Sequence, residues 1–266
     1  MPLAVCATPI GNLDDVTLRV LDELRNADVV LAEDTRRTRG LLERHGIAAR
    51  LLSYHEHNEA VRVAELLPRL EAGERIALVS DAGLPGVSDP GGRLVRAARD
   101  AGVEVTVLPG PSAVDTALVT SGLSETRYAF IGFLPRRPAE LDALWRELES
   151  WPWPVVAFES PQRLSKSLRS LAGTDPERQV AVCRELTKRF EEVVRGAAVV
   201  VADRFAEPPK GEITLVIGPP ERRQDPGAAR EAVAELVAAG TPRRVAADVV
   251  ARLTDMSRND LYQASL

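Results

Sequence analysis

The chain is 266 residues long, 45% hydrophobic and 27% charged, with a formal net charge of −5. That length exceeds one small core and accommodates two modest soluble domains. The acidic balance argues mildly against a general nucleic-acid coat, and no apolar run approaches the ~20 residues that cross a bilayer. No charged-then-apolar leader opens the sequence, so the protein is expected in the cytoplasm and off the membrane.

Through residues 1–121, short apolar runs alternate with helical patterns. Strands are predicted at 3–7, 28–32, 50–53, 75–79 and 103–108, and helices over 17–26, 35–45, 58–71, 91–101 and 112–121. In the first helix Leu18, Leu21 and Leu24 share one side, the pattern of a helix docked on a sheet. The alternation predicts parallel pairing in an open α/β sheet. Polar residues 122–127 break the pattern as a linker. Beyond it strands are predicted at 128–134, 154–158, 179–185, 190–195, 197–202 and 212–217, with helices at 138–149 and 161–171. Strands now outnumber helices, which predicts a mixed α+β domain. A second linker at 219–227 precedes helices over 227–239 and 243–253. Ser257, with Asp260 three residues on, resembles a capping box opening a last short helix. The expected domains are 1–121, 122–220 and a helical extension over 221–266.

Cys6 and Cys183 lie in apolar strand-like segments and are read as packed, reduced thiols. With three histidines they give no zinc spacing, and no metal is expected. Only three lysines occur, Lys166, Lys188 and Lys210, and arginine supplies the remaining positive charge. Arg36, Arg37 and Arg39 form a cluster, and Arg136–Arg137, Arg222–Arg223 and Arg243–Arg244 are pairs that can grip phosphates in bidentate fashion.

Three loops follow strands and precede helices: Thr8–Leu13, Ser80–Gly92 and Pro109–Ala113. Ligands of open α/β sheets bind beyond the carboxyl ends of the strands. The middle loop holds four glycines and two prolines, so its backbone is shaped for close approach, and Asp81 and Asp89 offer carboxylates. Neither the dinucleotide fingerprint nor the phosphate-loop motif is present, which favours an adenosine ligand with little or no phosphate.

With these loops in view, the chain resembles the tetrapyrrole (corrin/porphyrin) methylase superfamily, in the branch that methylates small-subunit ribosomal RNA. The resemblance rests on residues 7–13, 32–36 (AEDTR), 53–59 (SYHEHNE), the loop at 80–91 and residues 109–113. Further on it rests on 158–161 (FESP), 184–188 (RELTK), 210–212 (KGE) and 257–262 (SRNDLY). It implies two α/β domains of the tetrapyrrole methylase type with a cofactor cleft between them, plus a small C-terminal helical extension. It also implies S-adenosylmethionine (SAM) as cofactor, a homodimer and no metal. The implied reaction is 2′-O-methylation of a cytidine in the decoding region of 16S rRNA, cytidine 1402, on naked rRNA or the small ribosomal subunit. The cofactor positions it implies are Pro9 and Ile10; Asp81, Gly83, Leu84 and Val87; Ser112 and Ala113; and Phe158, Leu186 and Ile213. Leu84 stands where the family has a threonine, so a hydroxyl contact is lost there.

A ribose hydroxyl is a poor nucleophile at neutral pH, and lysine, unlike arginine, can lower its pKa and act as a base. Lys188 is the leading catalytic candidate, with Glu185 and Glu159 as alternative bases. The candidate RNA contacts are Arg36, Arg37, His55, His57 and Lys210; the His55-Glu56-His57 loop is read as polar recognition rather than as a metal site. Rival readings are a tetrapyrrole-ring methylase and a non-enzymatic nucleic-acid binder using the last two helices as a helix-turn-helix. A nicotinamide dehydrogenase lacks its fingerprint.

Overall fold

The computed structural model describes residues 2–220, 226–254 and 256–265. The chain forms two compact units, Met1–Pro219 and Pro220–Leu266. The larger unit carries two five-stranded sheets.

The first sheet has the order β3-β2-β4-β1-β5, built from β1 (Leu3–Cys6), β2 (Val29–Ala32), β3 (Leu51–Ser53), β4 (Ile76–Val79) and β5 (Val105–Leu108). Every pairing in it is parallel. The connecting helices are α1 (Leu18–Asn26), α2 (Thr35–Arg44), α3 (Glu59–Glu71), α4 (Gly92–Asp100) and α5 (Ala113–Thr120). Strand alternation splits the core in two. Leu3 and Val5 enter the layer shared with Leu66, Leu70 and Leu94, whereas Ala4 and Cys6 face Val20, Leu24 and Leu42. Caps set the helix starts: the Thr17, Asp34 and Ser112 side chains accept from Val20, Arg36 and Asp115 amides.

The second sheet has the order β6-β7-β10-β8-β9. Its strands are β6 (Ala129–Phe133), β7 (Val155–Glu159), β8 (Gln179–Arg184), β9 (Glu192–Ala197) and β10 (Ile213–Ile217). Only β6 and β7 pair in parallel. One face packs on α6 (Pro138–Leu148), α7 (Pro161–Thr174) and α8 (Ala198–Arg204) through Leu164, Leu168, Val182 and Leu215. On the other face Val156, Ala181, Cys183 and Val216 pack on Val114, Ala117 and Leu118 of α5. A helix of the first half therefore plugs the inner face of the second sheet and fixes the two sheets against each other.

The predicted strand over 197–202 is instead α8. Its β-branched run suggested a strand, but buried Ala198, Val201, Ala202 and Phe205 recur at helical spacing, while Val199 and Val200 are exposed. Both cysteines are free and buried; burial comes first in pushing each thiol up to about 12, so neither is a nucleophile.

The smaller unit holds α9 (Pro226–Ala238), α10 (Arg243–Thr254) and α11 (Arg258–Gln263) around Val233, Ala246, Val250 and Leu261. Ser257 caps α11 by accepting from the Asp260 amide. The Arg222–Arg223 pair and most of the second predicted linker lie outside the described residues. Among the described residues no helix is long and apolar enough to cross a membrane, and no group of side chains is arranged to hold a metal ion.

Candidate functional site

The three loops converge. Thr8 and Gly83 exchange backbone hydrogen bonds of 2.8 and 3.0 Å, and the Thr8 hydroxyl donates to the Ser80 carbonyl. They form one wall of a cavity of about 720 Å³, and strand ends and loops of the second sheet form the other. Ile10, Asp81, Gly83, Leu84, Val87, Ser112, Ala113, Phe158, Leu186 and Ile213 all line it. Of the residues that the family resemblance pointed to for cofactor, Pro9 alone is not on the lining.

One part of the cavity lining is acidic. Glu33, Asp81 and Asp89 line it together with Arg37. Asp81 accepts from the Asp34 amide at 2.9 Å and lies 3.5 Å from the Arg37 guanidinium. Burial, then the negative charge of Glu33, push the Asp89 carboxyl up to about 6; Ser80 pulls the other way and Asp81 adds to the rise. Glu33 is also raised, first by burial and then by Asp81, against opposing effects of the Asp81 amide, Arg37 and His55. Three carboxylates crowded into a half-buried corner are electrostatically short of positive charge. Such a corner suits a cationic ligand and disfavours a phosphate.

Another part of the lining is aromatic. Regular alternation would send Phe133 to the outer core with Ile131. Instead β6 carries an extra residue between Phe130 and Phe133 relative to β7, with Gly132 at φ 69°. The bulge turns Phe133 to the cleft side, where Phe130 and Phe133 both meet the Phe158 ring edge-on at 5.0 and 5.5 Å. Phe133 stays 61% exposed at the mouth of the cavity. The sequence flagged YAFIGFL as a strand and gave no sign that two of its phenylalanines face the same way.

The predicted catalytic groups behave differently from expectation. Lys188 is not on the lining. Its Nζ donates to Glu185 Oε1 and Glu212 Oε2, both at 2.9 Å. Burial pulls its pKa down, but the bonds to Glu212 and Glu185 outweigh it and the net shift is upward. That corrects the reading of Lys188 as a base with a lowered pKa: two carboxylates hold it as an ammonium. Glu185 also accepts from the Glu212 amide at 3.0 Å, and these bonds outweigh burial to lower its pKa. Glu185 and Thr187 occupy left-handed backbone at φ 52° and 63°, so the turn is tightly folded. Glu212, to which the sequence reading gave no role, does line the cavity.

This turn also packs closely against the first loop. A side chain at Gly11 would strike the Lys188 stem, the Thr187 hydroxyl and the Leu186 carbonyl at 2.5–2.7 Å. The Asn12 amide donates to Thr187 Oγ1 at 3.0 Å. Only glycine permits the first loop to lie so close to the second sheet.

Glu159 lines the cavity but is spoken for. It is 2% exposed, accepts from the Ser160 amide and the Ser167 hydroxyl, and pairs with Arg163 at 3.2 Å. These bonds make it a structural carboxylate rather than a base.

Of the candidate RNA contacts, Arg37 reaches the cavity, whereas Arg36 is exposed and forked on Asp34. His55 and His57 stack edge to face at 5.9 Å, with His55 half-buried and held at Asn58 and His57 exposed. Lys210 is exposed beyond the lining, its carbonyl accepting from Arg184.

The chain belongs to the tetrapyrrole (corrin/porphyrin) methylase family, whose model matches residues 2–200. It is 43% identical to Ribosomal RNA small subunit methyltransferase I of Mesorhizobium japonicum, over 99% of this chain and 91% of that one. The Synechocystis protein of the same name is 41% identical over 99% and 97%. Uroporphyrin-III C-methyl transferase from Thermus thermophilus, solved with S-adenyl homocysteine, superposes with a TM-score of 0.58 at 19% identity, covering 81% of this chain and 96% of that one. That likeness shows a shared fold.

Proposed function

We propose that the chain is a SAM-dependent methyltransferase that places a methyl group on the ribose 2′-oxygen of a cytidine in the decoding region of 16S rRNA, cytidine 1402. It works in the cytoplasm as a homodimer. The observation that carries this reading is the cleft itself: an acidic corner, an apolar slot and an exposed aromatic, in a chain over 40% identical across its length to curated ribosomal RNA small subunit methyltransferases.

The residues present fit SAM. The cofactor bears a sulfonium and an ammonium and no phosphate, which matches three carboxylates with a single guanidinium. Leu84, Val87, Leu186 and Ile213 would hold its apolar surfaces, and Asp81 a hydroxyl or the ammonium. When bound, SAM supplies a methyl group activated for in-line displacement.

The protein's part is alignment and proton handling. Phe133 offers its exposed face to the pyrimidine ring and so sets the ribose at the cleft mouth. Arg37 and Glu212 flank the space from opposite sheets. Asp89, with a pKa of about 6, is the group in the cleft matched to take the hydroxyl proton near neutrality. Lys188 acts at one remove, fixing the Glu212 carboxylate and the 185–188 turn.

The test is transfer of labelled methyl from SAM by the purified protein to small-subunit rRNA and to small subunits, with nucleoside analysis of the product. We expect 2′-O-methylcytidine at one position. Base methylation, or transfer only to a tetrapyrrole, would reject the reading.

A further inference from the structure

A second concavity lies on the far side of β6 and β7, between α6 and α7, with a volume of about 870 Å³. Its lining includes Arg136, Arg146, Arg163, Lys166 and Arg169, against the carboxylates of Asp142 and Glu149. The excess of positive charge stands out in a chain whose net charge is −5.

The cations are not absorbed by structure. Arg163 is the most engaged, donating to the Leu134 and Pro135 carbonyls and pairing with Glu159, and Arg169 makes one 3.4 Å bond to the Ala206 carbonyl. Among the described residues Arg136, Arg146, Lys166 and Arg169 form no ion pair, and all four are exposed. Arg163, Lys166 and Arg169 recur every third residue of α7, which aligns like charges along one stripe. Such an arrangement costs helix stability when nothing anionic lies over it. Asp142 is already the acceptor of the Ser170 hydroxyl at 2.8 Å.

The groove and the cleft are linked through adjacent residues of the chain. Pro135 and Arg136, on its rim, directly follow Phe133 and Leu134, and Arg163 clamps that connection by its two carbonyl bonds. Ser160 and Pro161 line the cleft, while Arg163, one turn further along α7, lines the groove.

We infer that the α6–α7 groove holds the phosphate backbone of the substrate RNA, leading the strand to the aromatic mouth of the cleft. The inference rests on the rRNA reading of that cleft. Concave basic surfaces focus field onto a polyanion, and arginine forks match phosphate oxygens. The first-half candidates Arg36, Arg37, His55 and His57 lie on other elements, so the groove is a separate contact on the second sheet's side.

The experiment uses the full chain carrying Arg146→Gln, Lys166→Gln and Arg169→Gln together. Binding of a fluorescent small-subunit rRNA fragment is followed across a salt series. Three lost phosphate contacts should lower the slope of log affinity against log salt by about 2, and affinity at low salt by at least about tenfold. The melting temperature and SAM affinity should hold, and turnover at saturating RNA should match wild type while KM rises. A control changing exposed Arg19, Arg50 and Arg96 to Gln should leave the slope near wild type. An unchanged slope in the groove variant, or an equal loss in the control, would overturn the inference. Groove-dependent capture of poly-aspartate, with RNA indifferent to the triple change, would reassign the surface to an acidic protein and overturn it too. Wild-type protein that binds the fragment through the groove yet transfers no methyl would spare the groove and reject the functional reading instead.

Discussion

The two halves of the larger unit contribute to one cleft by opposite means. The first half presents loops that follow parallel strands, where the sheet's topology alone brings strand ends and turns to one edge. The second half presents the ends of a mixed sheet, shaped by a bulge at Gly132 and a left-handed turn at Glu185–Thr187. Site residues from loops are tied more lightly, Asp81 to the Asp34 amide and to Arg37 at 3.5 Å. Those from the second half are largely tied to one another: Glu159 to Arg163 and Ser167, Lys188 to Glu185 and Glu212. Chemistry is thus expected from the first half and positioning from the second.

The largest expected effect tests the structural side of that division. Glu159→Ala leaves Arg163 without its buried partner and should cost about 3 kcal/mol of stability, read as a lowered denaturation midpoint. The protein that remains folded should still bind SAM. Unchanged stability with abolished turnover would instead make Glu159 a reacting group and break the comparison.

Next comes Phe133, the exposed second-half aromatic at the mouth of the cleft. Phe133→Ala should lower kcat/KM for RNA by about tenfold or more, the scale of losing a base stack, with stability and SAM affinity intact. Phe133→Trp should restore most of it. Equal loss in both variants would point to a packing role.

The effect of Lys188 should be smaller. As a clamp on Glu185 and Glu212 it is replaceable by another cation, so Lys188→Arg should retain turnover within a few-fold and Lys188→Met should lose about tenfold. Loss of two orders of magnitude in both variants would restore it as the base.

The smallest effect, read in stability and cofactor affinity rather than in turnover, concerns Asp89. Its folded pKa, about 6, lies above that of an unfolded carboxyl, so the folded state holds the proton more tightly. Its contribution to stability is greatest below the unfolded value and declines as pH rises from about 4 to 6. Asp89→Asn should flatten that decline. Ionised Asp89 also attracts a sulfonium, so SAM affinity should improve a few-fold as pH rises through about 6 in wild type but not in the variant. A pH-independent affinity in wild type would remove Asp89 from the cofactor corner.

What the sequence disclosed follows the same division. Glycine and proline punctuation made the first-half loops readable, and the Ser257 cap marked the start of the last helix. The acidic corner was half visible: Asp81 and Asp89 share a loop, but Glu33 joins them only because β2 lies beside β4. In the second half, period-two alternation misplaces Phe133, since one extra residue reverses its face. The run Val199–Val201 read as a strand because residue preference outweighed the spacing of Ala198, Val201 and Phe205. Lys188 stood out as a rare lysine, but its partner Glu212 is 24 residues away and no local pattern joins them.

The central claim is that this cleft methylates a ribose of small-subunit rRNA. It is tested most directly by mapping 2′-O-methylation across 16S rRNA from cells lacking the protein, complemented with wild type or with an Asp81→Ala, Asp89→Asn double variant. The account predicts that one cytidine in the decoding region loses its methyl group, regains it with wild type, and stays unmodified with the double variant. An unaltered methylation map, or full restoration by the double variant, would contradict it.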